Sequence, residues 1–164
     1  MKRTAALCCA ALSLLLLSAA PRDARADVDG LLGARVGFTD DPTSIQVGIF
    51  YEMVIAQAGS GFFAIEPGAD IGFGEEHDVD FWTLRGTING KYLIPVNNLF
   101  LYPIFGLSLW YVNVDCGGRG DCDDTEAGVN LGAGLRYNQF NFELTVGIDD
   151  IPDLFFSVGF LFGG

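Results

Sequence analysis

The sequence predicts an all-β fold, an eight-stranded antiparallel up-and-down transmembrane β-barrel. Three observations lead to this prediction. Eight segments alternate between large apolar residues and small or polar ones with a period of two, which is the pattern of strands with two different faces. The eight charged residues that lie away from the ends of these segments all fall on the small and polar face, and their signs balance. The acids between the segments are concentrated in every second connection.

Residues 1–26 have the pattern of a secretory signal peptide, and the barrel is predicted over residues 27–164. Lys2 and Arg3 form a basic start, an apolar run rich in leucine follows, and Ala24-Arg25-Ala26 is an A-x-A cleavage signal. Of the nine basic and 21 acidic residues of the chain, this segment holds four and one, so five basic and 20 acidic residues remain. Such an acidic balance argues against nucleic acid as a partner.

The alternating segments define the strands in chain order. They are residues 31–39, 44–56, 61–74, 80–94, 98–113, 126–138, 139–149 and 153–162. In the third segment, one set is apolar: Phe63, Ile65, Pro67, Ala69, Ile71 and Phe73. The set between them is small or charged: Ala64, Glu66, Gly68, Asp70 and Gly72. No apolar run after residue 26 reaches the 18 or so residues of a membrane helix, whereas a tilted strand crosses a bilayer with about 9–11 residues.

The charges indicate which face is inside. Eight charged residues lie in the interior of the predicted strands, four acidic and four basic: Arg35, Glu52, Glu66, Asp70, Arg85, Lys91, Arg136 and Glu143. All eight share the small and polar face. A solvated face has no need to balance its charges, whereas a closed interior does, because an unpaired buried charge is costly. This face is therefore predicted to line a narrow barrel, and the apolar face is predicted to contact lipid.

The connections between the strands alternate in character. The first, third, fifth and seventh contain fourteen acids, with Arg119 as their one basic residue, whereas the other three are short and contain no acid. Odd and even connections lie at opposite ends of an up-and-down barrel. Membrane barrels have short periplasmic turns and longer outer loops. We therefore expect a barrel in the outer membrane of a Gram-negative bacterium, with both termini in the periplasm and the acidic loops outside.

The order of the strands also predicts partners for the interior charges. Consecutive strands are adjacent in an up-and-down barrel, so partners can be counted away from each connection. Counting from the third connection places Asp70 near Arg85, and Glu66 near Lys91.

Two further details concern individual strands. The same count across the sixth connection pairs Arg136 with Glu143. Pro67 and Pro103 lie in mid-strand, where each removes a ladder hydrogen bond, so local bulges are expected at both.

At this point the sequence resembles the small outer-membrane β-barrel family, which includes the OmpA transmembrane domain and OmpX. The segments that carry the resemblance are FFAIEPGADIGFG, LYPIFGLSLWYV, AGVNLGAGLRY and LFFSVGFLFGG. In the last of these, Ser157, Gly159, Leu161 and Phe162 resemble the signal that the barrel-assembly machinery recognises. The resemblance implies an eight-stranded barrel, a partner in that machinery during biogenesis, and in most members no enzymatic activity.

The fifth connection contains the sequence DCGGRGDCDD. In an exported chain, Cys116 and Cys122 are expected to form one disulfide that holds this loop, with two free thiols as the alternative. Arg119-Gly120-Asp121 between them would fit an adhesion motif, although glycine and aspartate are also ordinary loop residues. The acids of the outer loops could attract a divalent cation or a surface partner, because hard cations prefer oxygen ligands. The alternative is a solvated acidic loop.

The sequence favours a non-enzymatic role, either structural in the envelope or in surface interactions through the acidic loops. No cofactor is predicted, and the expected surroundings are outer-membrane lipid and lipopolysaccharide. Eight strands leave an interior just filled by side chains, which argues against a porin. The alternative function is a lipid A-modifying enzyme that uses His77, the one histidine of the chain, with Ser44 as the serine nearest to it in the predicted topology.

Overall fold

The chain folds into a closed barrel. The computed structural model describes residues 30–40, 42–76, 79–114, 122–149 and 151–162. The described residues form eight strands, namely β1 (Leu31–Asp40), β2 (Thr43–Ala58), β3 (Gly61–Glu76), β4 (Val79–Val96), β5 (Leu99–Val114), β6 (Cys122–Tyr137), β7 (Phe140–Ile148) and β8 (Leu154–Phe162). Each strand pairs with the next in antiparallel fashion and β8 pairs with β1, so the sheet closes and the predicted fold class is confirmed. The described ranges contain no helix that is long and apolar enough to cross a membrane.

The strands are staggered as they close. Directly opposed residues can be followed around the barrel through Arg136, Asn141, Gly159, Arg35, Gly48, Asp70, Arg85, Trp110 and Glu126. The path starts on β6 at residue 136 and returns to β6 at residue 126, ten positions away. A closed sheet with such a stagger has strands tilted against the barrel axis. Side chains that lie at the same height in the lumen are therefore not directly opposed to one another in the pairing of the strands.

The two faces of the sheet differ as the alternation predicts. On β2, Ser44 and Gln46 are buried in the interior, whereas Ile45, Val47 and Ile49 between and beyond them are half exposed or more. The burial pattern of β7 alternates in the same way. The outer face is apolar and the inner face is polar, which is the reverse of a water-soluble barrel.

Large aromatic side chains also enter the interior, although the sequence suggests few large residues there. Each lies against a glycine of a neighbouring strand, and a Cβ at that glycine would overlap the ring. The pairs are Phe50 with Gly33, Phe155 with Gly37, Phe81 with Gly74, and Tyr102 with Gly134. All four rings are buried. The glycines of the inner face thus make the space that these aromatic rings fill.

Both prolines interrupt the ladder toward one neighbouring strand without shifting its register, so the expected bulges do not lie there. The described pairs are interrupted between the pairs Phe50 with Gly68 and Met53 with Ile65, and between the pairs Lys91 with Ile104 and Ile94 with Leu101. Pro67 lies opposite Ile88 and Pro103 lies opposite Ala133 in regular register. A proline lacks its N–H toward one neighbouring strand only, so the ladder to the other neighbour continues. Among the described pairs, a register shift lies instead in β2, between Val54 and Ala56.

The wall of the barrel is uneven in height. β1, β7 and β8 contain nine or ten residues, whereas β2 to β6 contain 16 to 18. β6 begins at Cys122, four residues before its predicted start. The pairing of β6 with β7 begins at Val129 opposite Ile148, so within the described part of the chain residues 122–128 pair with β5 alone. We call residues 108–114 of β5 and 122–128 of β6 the projecting hairpin.

Candidate functional site: the charged interior and the acidic rim

The first cluster of interior charges is built around Asp70 on β3. Arg35 donates to the two carboxylate oxygens of Asp70 from Nε and Nη2, both over 2.6 Å. Arg85 donates to Asp70 Oδ2 from Nε and Nη2 over 3.1 and 2.9 Å. The guanidinium of Arg85 lies 3.5 Å from the ring centre of Phe155. One carboxylate therefore serves two guanidinium groups, and an aromatic face supports one of them.

The second cluster surrounds Lys91 on β4. Its ammonium group donates to Glu66 and, over 2.5 Å, to Glu143 on β7. Glu52 on β2 lies 3.9 Å from the same ammonium group. The hydroxyl of Tyr102 donates to Glu143 over 2.9 Å. Lys91 thus gathers carboxylates from three other strands, one of them across the lumen.

Arg136 has partners other than the one that the sequence suggests. It donates to Glu52 across the barrel and, over 2.9 Å, to Asn141 directly opposite it on β7. The expected pair of Arg136 with Glu143 is therefore wrong. Glu143 lies opposite Gly134, and the tilt of the strands brings it to Lys91 instead. By contrast, Asp70 pairs with Arg85 and Glu66 with Lys91, as the count from the third connection predicts.

The two clusters form one network. Arg35 Nη1 donates to Glu66 over 3.3 Å and so links the Asp70 cluster to the Lys91 cluster. The structure places all eight predicted interior charges in the lumen, each less than a tenth exposed and each in at least one ion pair. Four acidic and four basic side chains pair with one another, and this pairing offsets the cost of burying each charge. Removal of one partner would leave an uncompensated charge in the closed interior.

The sequence did not lead us to expect four aromatic side chains that lie buried in the interior: Phe50, Phe81, Tyr102 and Phe155. The alternation predicts large apolar residues on the lipid-facing side and small or polar residues inside. The signal that could have found Tyr102 is its parity, because Tyr102 shares the face of Gly106 and Ser108 on β5. Asn141 is buried on the same face as Glu143, as the alternation of β7 predicts.

The outer face carries an apolar band with an aromatic pair near each end. On β3 the band runs from Phe63 to Phe73. Phe63 contacts Tyr92 with ring centres 4.8 Å apart, and at the other end of the band Trp82 contacts Tyr111 with ring centres 5.3 Å apart. Beyond Phe73 and Trp82 the next outward residues are acidic. Aromatic girdles that flank an apolar band are typical of membrane barrels.

Acidic residues form the end of the barrel that includes the projecting hairpin. Several described acids lie at this end, and we call five of them, on β3, β4 and β6, the acidic rim: Glu75, Asp80, Asp123, Asp124 and Glu126. The first four are exposed and Glu126 is half-buried. Asp123 and Asp124 lie in β6, before the start at residue 126 that the sequence predicts for this strand. In the described part of the chain, no group of three or more His, Cys, Asp or Glu side chains is arranged to hold a metal ion.

Several predicted features lie outside the described residues. They are the signal peptide, His77, Cys116 and the Arg119-Gly120-Asp121 sequence. Cys122 is described as the first residue of β6 by its backbone alone. The disulfide and the role of His77 stay predictions.

Comparison with known proteins identifies the fold. No protein-family model and no curated protein sequence matches the chain. Ail, the attachment invasion locus protein of Yersinia pestis, was solved in complex with the heparin analogue sucrose octasulfate. It matches with a TM-score of 0.52 at 14% identity, over 81% of this chain and 95% of Ail. Neisserial surface protein A matches with a TM-score of 0.51 at 15% identity, over 80% of this chain and 94% of that protein.

This is the fold of the small outer-membrane β-barrels. The resemblance seen in the sequence is thus confirmed at the level of the fold. At this identity, the likeness extends to the path of the chain and not to the residues of the rim. The acidic rim and the charged interior are therefore interpreted from their own geometry.

Proposed function

We propose that the protein is a non-enzymatic β-barrel of the outer membrane of a Gram-negative bacterium, with both termini in the periplasm. We further propose that its acidic rim interacts with a basic partner outside the cell. The observation that carries this proposal is the position of the rim acids. They lie at one end of the barrel, where Glu75, Asp80, Asp123 and Asp124 are exposed, and the acids of β6 extend along the projecting hairpin beyond the end of β7.

The outer face supports the membrane location. The outward residues of β3 from Phe63 to Phe73 span eleven positions, which is the length that a tilted strand needs to cross a bilayer. The network of buried ion pairs fills the lumen between the two ends. A barrel of this kind is suited to presenting its rim and ill suited to conducting solutes.

The sign of the charge distinguishes this rim from a site for polyanions. Ail was solved with a heparin analogue, which is a polyanion. Here Glu75 lies directly opposite Asp80, and both are exposed. Like charges that face each other across a strand pair repel, and a cationic partner would relieve that repulsion.

The interaction can be tested with the full-length mature protein folded in lipid nanodiscs. A fluorescent lysine-rich peptide is titrated onto the wild type and onto the variant Glu75→Gln/Asp80→Asn/Asp123→Asn. We expect the neutral variant to bind about tenfold more weakly, because it loses three carboxylates that attract the peptide.

The matched control keeps the charge and changes the side chains, as Glu75→Asp/Asp80→Glu/Asp123→Glu. This control should bind like the wild type, and sucrose octasulfate should bind to none of the three proteins. Equal binding of the peptide to the neutral variant would contradict the proposal. A change in the mass of lipid A between wild-type and His77→Ala cells would favour the enzymatic alternative.

The orientation is tested on intact cells. In a background with Cys116 and Cys122 replaced by serine, a cysteine at Asp80 should react with a membrane-impermeant maleimide. A cysteine at Asn97, in the turn between β4 and β5 at the other end of the barrel, should react only after the outer membrane is opened. Labelling of Asn97→Cys alone on intact cells would reverse the proposed orientation.

A further inference from the structure

A groove crosses β3, β4 and β5 at the boundary between the apolar band and the acidic rim. It is an open groove of about 420 Å3, lined by Phe73, Gly74, Asp80, Phe81, Trp82 and Asn113. Phe73 and Trp82 lie directly opposite each other, and Asn113 lies opposite Trp82 on the next strand. The groove therefore combines aromatic rings with a carboxylate and an amide within three neighbouring strands.

The aromatic walls of the groove are held in place by the inner face. Gly74 has no side chain, and the ring of Phe81 lies against it from the interior, where Phe81 is only 7% exposed. Phe73 and Trp82 lie on the outer face beside Gly74 and Phe81, and they remain 59% and 38% exposed. Tyr111 contacts Trp82 and extends the same wall. Phe73 and Trp82 thus keep part of their ring surface open to the outside.

The polar groups of the groove select against an anionic ligand. The carboxylate of Asp80 lines the groove and is exposed, and Glu75 lies directly opposite Asp80 on β3, so negative charge is concentrated on the side of the rim. A lipid phosphate would be repelled there. Uncharged hydroxyl groups can donate to the carboxylate of Asp80, and the amide of Asn113 can both donate and accept.

We propose that this groove binds the uncharged sugar of a membrane glycolipid. An apolar face of the sugar ring would pack against Phe73 and Trp82, while its hydroxyls hydrogen-bond to Asp80 and Asn113. The position fits this ligand, because aromatic residues at the edge of an apolar band lie at the level of the lipid headgroups. The inference rests on the proposed membrane location but is independent of the basic partner at the rim.

The opposite end of the same two strands provides an internal control. Phe63 and Tyr92 form an aromatic pair there, at the other edge of the apolar band. The hydroxyl of Tyr92 already donates to the carbonyl oxygen of Ala58 over 2.8 Å. If both aromatic pairs were ordinary parts of an aromatic girdle, they would contribute equally to lipid binding. If the groove is a sugar site, only the pair at the rim should contribute to the preference for a glycolipid.

The experiment uses the mature protein in phosphatidylcholine nanodiscs doped with galactosyl diacylglycerol. Parallel samples contain diacylglycerol, which lacks the sugar, or phosphatidylglycerol, which is anionic. Native mass spectrometry then measures how much of each doped lipid stays with the released protein. We expect galactosyl diacylglycerol to be retained about tenfold over both comparison lipids.

Two site variants and one control variant complete the test. Asp80→Ala/Asn113→Ala removes the polar groups, and Phe73→Leu/Trp82→Leu removes the rings while keeping the surface apolar. Both should abolish the preference, and Phe63→Leu/Tyr92→Leu should keep it. Equal retention of the three lipids, or the same loss in the control variant, would overturn the inference. Failure of the wild type to fold into nanodiscs would count instead against the proposed membrane function.

Discussion

Asp70 lies directly opposite Arg85, yet its carboxylate is shared between Arg85 and Arg35. The three residues therefore differ in how much their removal should destabilise the barrel. Removal of Asp70 leaves two buried guanidinium groups near each other, whereas removal of Arg85 leaves Asp70 with Arg35 as a partner. This asymmetry gives the first prediction.

We expect Asp70→Ala to lower the free energy of unfolding by about 3–5 kcal/mol, and Arg85→Ala to lower it by less. The double variant should cost less than the sum of the two changes, because the second change removes a charge that the first left unpaired. Urea unfolding in lipid vesicles measures all three. Additive losses would show that the two side chains are not coupled.

The pairing across the lumen gives a second prediction. Lys91 donates to Glu143, and Arg136 donates to Glu52. A double-mutant cycle of Lys91→Met with Glu143→Gln should give a coupling energy of about 1–3 kcal/mol, whereas the cycle of Arg136→Met with Glu143→Gln should give much less. A larger coupling energy in the second cycle would show that Arg136 pairs with Glu143, as counting along the sequence suggests.

The glycines of the barrel differ in what their missing side chain allows. A Cβ at Gly48 would overlap the carboxylate of Asp70, whereas a Cβ at Gly86 on the outer face would meet nothing within 4 Å. We expect Gly48→Ala to destabilise the barrel by about 1–3 kcal/mol through overpacking. Gly86→Ala should be neutral or stabilise it slightly, since alanine is favoured over glycine in a strand. Equal unfolding free energies of the two variants would contradict this difference.

The outer face predicts how the barrel tolerates a charge at different depths. Leu107 is half exposed in the middle of the apolar band, and Thr125 lies at the rim. Leu107→Arg should cost about 2–4 kcal/mol in vesicles, and Thr125→Arg at most about 1 kcal/mol. The free energy of unfolding is again measured by urea unfolding in lipid vesicles. If Leu107→Arg is tolerated as well as Thr125→Arg, that part of the surface does not face lipid.

The loop cysteines provide a prediction that is independent of the barrel. Mass spectrometry of unreduced, digested protein should recover one peptide pair that joins Cys116 to Cys122. Replacing both with serine should leave the barrel folded, because the closed ladder and not this short loop holds the strands together. Free thiols in protein isolated from the outer membrane would contradict the disulfide.

The sequence by itself determined the number of strands, the two faces of the sheet and the pairing of Asp70 with Arg85. These features depend on local order: a period of two decides each side chain's face, and neighbours across one connection can be counted from its turn. Only the tertiary structure decided the remaining partners. Lys91 meets Glu143, and Arg136 meets Glu52, because closure and stagger bring distant strands across a narrow lumen. No local pattern encodes that stagger, since it is a property of the whole closed sheet.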